Sequence, residues 1–565
     1  MANFICKIER SLAKPALAVL ILVLLGVLVY ANCLPNEMFW DDDDFILKNI
    51  YIQDWKYWPH FFTDNVIAGN HLNSNYWRPL LQAVFAVEWH LWSDWAPGWH
   101  LVSAAGHILA GTALYKCLGA LLKDRLPAFL CAAVFIVHPV QTEATAYPNS
   151  LGDALAAIFV FWGIYAWIKT RRTGARGWWW VAWLMYPLAL LSKETGILLA
   201  GYLALTEFFI LQKSGTFWQK SWRTLRNLWP FIGTAIGYLA LRATVLNFAN
   251  SFNFYKEPTA FTSHLELRIV SFLQTLAAYT GLLFIPYDLR VERVIQPSPN
   301  LFTPDVFFGG AVFLLLTFTI IYYWKRKPLV TFGALWFLVG ILPTSNLIVI
   351  INAVLYEHFL YSALVGIFLA IFWSGLAWAN TKTRKRLFLG LALVFIAGLA
   401  GRSLWRTFDW RTAVGFYEKL IVTAPHSYRV VNNLGMEYAQ KGRNPEAEAT
   451  YRKAIVLDPT NAVAYHNLGN LCRDTGRKAE AAQFFEKAIT AQSNFIFSYQ
   501  ALIQIYLDNQ DYANARRVLE QYFQYSDDRI NILNLLKNIA QKQNDPAAIQ
   551  RYSEVLSKLQ TVRPK

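Results

Sequence analysis

KPALAVLILVLLGVLVYANCLPNEMFWDDDDF, residues 14–45, sets the frame for the whole chain. Ala16 to Tyr30 carry no charge, and Lys7, Arg10 and Lys14 precede them. Cations ahead of an apolar helix stay on the cytoplasmic side of a membrane. The stretch therefore predicts an uncleaved signal anchor that spans over 15–33 and delivers four consecutive aspartates, Asp41 to Asp44, to the far surface. Phe39, Trp40 and Phe45 tie those acids to the interface. Carboxylates held beside a bilayer are costly unless used. Their placement points to acid–base work on a substrate that meets the membrane from outside. A solvated acidic turn is the plainer alternative. Adjacent carboxylates raise one another's pKa, which suits a base, and as oxygen ligands Asp41, Asp42, Asp43 and Asp44 also suit a divalent cation.

The rest of the chain fits that frame. It has 565 residues, 55% hydrophobic and 16% charged, against ~25% charged in ordinary soluble domains. Spans need ~20 apolar residues, fewer inside a bundle. Candidates are 15–33, 99–121, 126–140, 151–169, 178–192, 196–212, 229–246, 305–324, 329–349, 355–379 and 387–404. With the N-terminus inside, alternate loops should be basic. They contain Lys123 and Arg125, then KTRRTGAR, KSGTFWQKSWRTLR, KRK and TKTRKR. All agree, so the net charge of +15 reads as topology signals and anionic-lipid contacts rather than nucleic-acid binding. Residues 266–286 are apolar enough to span, but a span there would put the last two basic loops outside. The expectation is an interfacial or re-entrant helix within an external region, 247–304. About eleven spans place the C-terminus outside. Cys6, Cys33, Cys117, Cys131 and Cys472 are scattered and show neither metal spacing nor a disulfide framework.

The C-terminal part repeats. Leu434-Gly435 recurs as Leu468-Gly469, a period of 34 residues, and Ala447, Tyr451 and Ala454 recur as Ala481, Phe485 and Ala488. Small residues at a helix crossing with aromatics in the next hole make the tetratricopeptide pattern. A weaker copy holds Tyr499, Leu502, Tyr506 and Ala515, and Ala413, Tyr417 and Pro425 make a half-repeat. The expected domains are a membrane domain, 1–404, with external loops 34–98 and 247–304, and a repeat domain, 405–565. The latter divides into a half-repeat 405–425, repeats 428–461, 462–495 and 496–529, and a degenerate pair 530–560. Such an array presents a concave surface to a protein or peptide. The fold class is all-α: a polytopic helical membrane domain followed by an α-solenoid.

Other polar groups fall in the external segments. Arg78, in NYWRPLLQAVFAVEWHLW (75–92), could hold a phosphate or merely snorkel. His107 lies inside the second span, where a packing role is the alternative to a functional one. His138, Glu143 and Asp153 bracket one external turn, and Lys193 and Glu194 sit at another. Glu357, His358 and Tyr361 follow the ninth span. Each set has a bland reading, turn solvation or mutual neutralisation. Their common sidedness is the argument for one external active site.

The ordered set (the aspartates, YWRPL, HLVSAAGH, HPVQTEA with GDALAA, SKETGI, YEHFLY, then the repeats) resembles the transmembrane-and-TPR O-mannosyltransferases of animals and their bacterial relatives. More widely it resembles the GT-C superfamily. That resemblance implies a GT-C-type helical domain and an inverting transfer of a sugar, mannose in the name-giving family, from a polyprenyl-phosphate donor to a protein acceptor held by the repeats. It implies Asp41 and Asp42 as the catalytic pair, with Arg78, Lys193 or His358 answering the departing phosphate. It also implies a bacterial inner-membrane protein whose site and repeats face the periplasm. The chain departs from the family at His358 and Gly152, where arginine is usual or frequent. Two other functions fit the same features: a non-catalytic membrane-anchored scaffold for envelope assembly, and a transferase acting on lipid or polysaccharide.

Overall fold

The computed structural model describes residues 14–122, 124–248, 260–291, 293, 302–351, 354–526 and 528–561. Cys6, Lys7, Arg10, Lys123 and, within 247–304, residues 249–259, 292 and 294–301 lie outside them. Among the described residues the regular elements are all helices. The chain divides into two units, Met1–Gly415 and Phe416–Lys565, and the division falls inside the helix Ala413–Thr423.

The first unit is a bundle of apolar helices with chemically different ends. At one end Arg171 pairs with the fully buried Glu207 at 3.1 Å. Glu207 also accepts from Trp167 Nε1 at 3.1 Å and Asn227 Nδ2 at 2.8 Å. Lys220 caps Phe208 O at 3.2 Å near the same level. The expected basic loops KTRRTGAR and KSGTFWQKSWRTLR meet here, through Arg171 and Asn227 on Glu207, and this is the basic end. The acids of residues 41–44 and the charged pairs described below gather at the opposite, acid end. Small residues let the helices between them approach closely. At Gly333 a Cβ would stand 2.3 Å from Gly366 O, so Pro328–Ile341 and Leu364–Trp378 touch backbone to backbone.

Among the described residues seven helices are long and apolar enough to cross a membrane, eight if Leu126–Val137 and Pro139–Ala146, bent by 53°, form one span. The sequence suggested about eleven. The apolar runs 329–349 and 355–379 overshoot: their helices are Pro328–Thr344 and Leu364–Trp378, both shorter than a full span. The run around 229–246 belongs to Phe217–Ala243, whose first half carries Lys220, Arg223 and Arg226. Residues 266–286 form Leu265–Phe284, which has span-like length and apolarity. Several of its polar contacts reach helix ends. Arg268 Nη1 donates to Asn346 O at 3.4 Å, Gln274 Nε2 to Asp305 Oδ2 at 2.8 Å, and His138 Nε2 to Leu283 O at 3.0 Å. Asn346, Asp305 and His138 all belong to acid-end termini. It also packs along Pro304–Tyr323, Phe272 meeting Phe313 edge-on at 6.4 Å.

The segment after the first helix folds into short helices capped by their own side chains, such as Asn49 accepting from Tyr51 N at 3.2 Å. Its longest helix, Pro79–Trp92, starts on a proline and buries Leu81, Phe85 and Glu88 on one face. Phe85 meets Trp99 edge-on at 5.6 Å. Glu88 Oε1 meets no donor among the described residues. Burial alone pushes this carboxyl up to about 9. Unfolded, it titrates near 4.3. Between those values the folded protein binds the extra proton, so stability is greatest at low pH and falls as pH rises through that window. Glu88→Gln is expected to remove the slope and raise the melting temperature in detergent at pH 8 by several degrees. A melting profile across pH 5–9 that the substitution leaves unchanged would refute the assignment.

In the second unit four helix pairs follow one register: Tyr428–Gln440 with Asn444–Leu457, Ala462–Asp474 with Lys478–Ala491, Ile496–Asp508 with Tyr512–Tyr522, and Arg529–Lys542 with Pro546–Thr561. Gly442, Gly476, Gln510 and Asn544 carry φ of 72°, 83°, 57° and 53° at the turn of each pair. Their constant spacing shows the weak third and fourth copies keeping a turn the first two make with glycine. Packing is kept in the same way. A Cβ at Gly435 or Gly469 would stand 2.7 Å from the ring of Tyr451 or Phe485. In the third pair Ile503 and Leu519 take these two places, both buried. The larger residue on one helix is offset by the smaller one opposite, which conserves volume.

Candidate active site

The four aspartates turn to different partners. Asp42 is 1% exposed. Its Oδ1 accepts from Asn149 N at 2.9 Å and its Oδ2 from Phe39 N at 3.3 Å. Burial raises its pKa well above the ordinary carboxylate value, Asp41 and Asp43 raise it further, and the two backbone donors oppose. Asp42 thus ties the aspartate turn to the 147–150 turn. Asp43 pairs with Lys48 at 2.7 Å on the surface. Asp44 accepts from Asn70 Nδ2 at 2.8 Å.

Asp41 remains half-buried at the mouth of this turn. Its N–H donates to Tyr147 Oη at 3.0 Å. Trp40, immediately before it, has a φ of 63°, a conformation that costs a tryptophan roughly 1–3 kcal/mol. Stacking holds it there: Trp40 lies on Tyr147 at 5.4 Å, and Tyr147 on Trp410 at 5.5 Å. A strained residue fixed on both sides gives the next carboxylate a defined position. Tyr76 lies within electrostatic reach of Asp41; burial is the main reason its phenol is pushed up to about 12, with Glu194, Tyr356 and Asp41 adding to it and Arg78 opposing.

Around these acids stand charged pairs from distant segments. Arg78 donates from Nε and Nη2 to Glu194 Oε2 at 3.1 and 2.9 Å and stacks over Tyr76 at 4.4 Å. Lys193 Nζ meets Asp153 Oδ2 at 2.6 Å. His358 Nδ1 meets Glu143 Oε1 at 2.8 Å. Glu357 is fully buried, with Arg406 at 3.8 Å. Burial pushes its carboxyl up to about 7, Arg406 pulling the other way and Glu143 adding to the rise. A narrow cleft opens beside Asp153, His358 and Tyr361, and its remaining walls include Ala156, Val160 and Leu198.

Arg78 and Glu194, Lys193 and Asp153, and His358 and Glu143 therefore come together as pairs, at the same end as Asp41 and Asp42. The two histidines nearest the helices are occupied otherwise. His107 lies between Tyr361 Oη at 2.8 Å and Ile136 O at 3.0 Å, both its nitrogens in use. His138 accepts from Val140 N at 3.4 Å and donates to Leu283 O. Both serve to join helices. Sequence reasoning missed Tyr76, Tyr147, Asn149 and Arg406. Tyr76 sits in the quoted YWRPL motif and Tyr147 between HPVQTEA and GDALAA, in a chain where aromatic residues are too common to stand out. Arg406, in LWRTFDW at the end of the last apolar helix, reads as a flanking cation. Among the described residues no group of three or more His, Cys, Asp or Glu side chains is arranged to hold a metal ion. Asp42, Asp43 and Asp44 face a backbone turn, Lys48 and Asn70 rather than a common centre.

Residues 435–476 match the family described as TPR repeat, and residues 462–495 the family described as tetratricopeptide repeat. A protein O-mannosyl-transferase of Caenorhabditis elegans is 24% identical over 452 residues, 78% of this chain and 62% of that protein. The human protein O-mannosyl-transferase TMTC4 is 24% identical over 493 residues, 78% of this chain and 66% of that protein. The protein O-mannosyl-transferase Tmtc2 of Drosophila melanogaster is 32% identical over 186 residues, 31% of this chain and 20% of that protein. The chain spans about two thirds or less of the length of these relatives.

Proposed function

We propose that this O-mannosyl-transferase-like membrane protein with tetratricopeptide repeats is a glycosyltransferase acting on protein hydroxyl groups. The observation that carries the reading is the convergence, at one end of the bundle, of Asp41 with the Arg78–Glu194, Lys193–Asp153 and His358–Glu143 pairs. A scaffold needs the repeats alone and leaves that convergence unexplained. The similarity to protein O-mannosyl-transferases over 78% of the chain supports mannose as the sugar.

The donor is a sugar on a polyprenyl phosphate, its lipid lying along the apolar walls beside Asp153 and Tyr361. The acceptor hydroxyl attacks the anomeric carbon on the face opposite the phosphate, and configuration inverts. Asp41 takes the hydroxyl proton. The bond from the anomeric carbon to the phosphate oxygen breaks, and the polyprenyl phosphate leaves with one more negative charge. Arg78, Lys193 and His358 answer that charge from preorganised positions, which is where electrostatic catalysis acts. Asp42 holds the aspartate turn on the 147–150 turn. The acid end faces away from the cytoplasm, as the basic loops imply, on the periplasmic side in a bacterial inner membrane.

The test is transfer of radiolabelled mannose from polyprenyl-phosphate mannose to envelope protein by the purified chain in nanodiscs. Label recovered in protein supports the reading; label recovered only in lipid or polysaccharide supports the rival acceptor class, and none at all supports the scaffold. Deleting residues 426–565 probes the repeats. The truncated protein is expected to keep donor binding and lose modification of its natural acceptor. Full-rate modification without the repeats would refute their acceptor role.

A further inference from the structure

The basic end of the bundle holds a second pocket, far from the aspartates. It is a cavity of about 400 Å³, within the ~300–1,000 Å³ usual for ligand sites. Four elements build it. Pro15 opens the first helix. Lys116 sits in the last turns of Ala96–Leu121, and Lys169 and Arg172 in those of Leu151–Thr173. Arg125 precedes Leu126–Val137. Among the described residues four cations line it, and no carboxylate does.

Cations near the C-terminal turns of helices are expected from the helix dipole and from topology alone. Neither explains their convergence on one cavity. Arg171 and Arg172 show the difference. Arg171 turns to the buried Glu207 at 3.1 Å. Arg172 turns to the cavity, donating to Leu121 O at 3.5 Å. Lys116 and Lys169 have no carboxylate partner among the described residues; they rest over Trp162 at 5.1 Å and Tyr165 at 5.6 Å. Aromatic rings at the ends of spans mark the headgroup level of a bilayer. On the same helix as Lys116, Ala96–Leu121 exposes Leu101 and Leu109, Leu109 lying two turns before Lys116 on its face, an apolar track suited to acyl chains.

We propose that this pocket binds the phosphate headgroup of an anionic phospholipid, with the acyl chains lying along that track. Basic pockets between helices on the cytoplasmic side suit this chemistry, and the inference stands whether or not the acid end transfers sugar.

The experiment uses the full chain, delipidated in detergent and titrated with dioleoyl phosphatidylglycerol or dioleoyl phosphatidylcholine, with bound lipids counted by native mass spectrometry. Wild type is expected to retain one phosphatidylglycerol at least tenfold more tightly than phosphatidylcholine. Lys116→Gln with Lys169→Gln and Arg172→Gln should weaken that retention by about 10²-fold. Lys325→Gln with Arg326→Gln and Lys327→Gln removes the same charge from another basic loop and should leave it intact. Should the first triple variant fail to melt cooperatively, Lys169→Gln against Lys327→Gln gives the same contrast at a smaller size. Equal retention of the two lipids, or equal loss in both variants, would overturn the proposal. Displacement by equimolar sn-glycerol 3-phosphate would overturn it too, assigning the pocket to a soluble phosphate.

Discussion

Asp41→Asn is expected to lower sugar transfer by roughly 10²–10⁴-fold, the usual loss of a positioned base, with little change in melting temperature. The carboxylate is half-buried and its position is fixed from the backbone, through the Tyr147 hydrogen bond and the Trp40 stack. Asparagine preserves both. Asp42→Asn is expected to behave differently. Both its oxygens accept backbone N–H groups, and an amide turns a donor toward one of them. An unsatisfied buried donor costs ~1–3 kcal/mol, so melting temperature and transfer should fall together. Asp44→Asn, held by Asn70 and half-buried, should be milder than either. Transfer from polyprenyl-phosphate mannose, read beside a melting curve for each variant, separates the three. Near wild-type transfer by Asp41→Asn would remove it as the base. A loss confined to Asp42→Asn, with melting unchanged, would move the chemistry to Asp42.

Arg78→Gln is expected to cost about 10²–10³ in kcat, the range for removing one donor to a developing oxyanion. The leaving phosphate gains charge only as its bond to the sugar breaks, so the loss should fall on kcat more than KM. Arg78 is 7% exposed and already bonded to Glu194 through two nitrogens. Its removal also leaves Glu194 without its cation. The double variant Arg78→Gln with Glu194→Gln restores a neutral pair and isolates the catalytic charge. The double variant should melt like wild type and remain slow. Recovery of transfer in it would show that Arg78 serves only to neutralise Glu194.

Apolar runs and the alternation of basic loops are local and one-dimensional, so they could be read from composition along the chain. The 34-residue register was equally legible where glycine and aromatics repeat, at Gly435, Gly469, Tyr451 and Phe485. It faded where Ile503 and Leu519 replaced a glycine–aromatic contact, because only packing shows that the two changes compensate. The apolarity of Leu265–Phe284 could not show its neighbours; the tertiary structure brings Arg268, Gln274 and Leu283 to Asn346, Asp305 and His138. Motif order brought forward Asp41, Asp42, Arg78, Lys193, Glu194 and His358, since each sits in a short polar turn between apolar runs. It could not separate Asp41 from Asp42. They are neighbours in sequence, and the fold buries one under the Asn149 and Phe39 amides while the other is half-buried. Nor could it show that His107 and His138 join helices, or that Arg406 stands by Glu357, because those partners come from segments far along the chain. The sequence by itself determined an all-helical unit with several apolar, membrane-capable helices, and the repeats that follow it. Which carboxylate is clamped, which cations are paired and which face a second pocket were decided by the tertiary structure, since burial and hydrogen-bond partners exist only once distant segments have met.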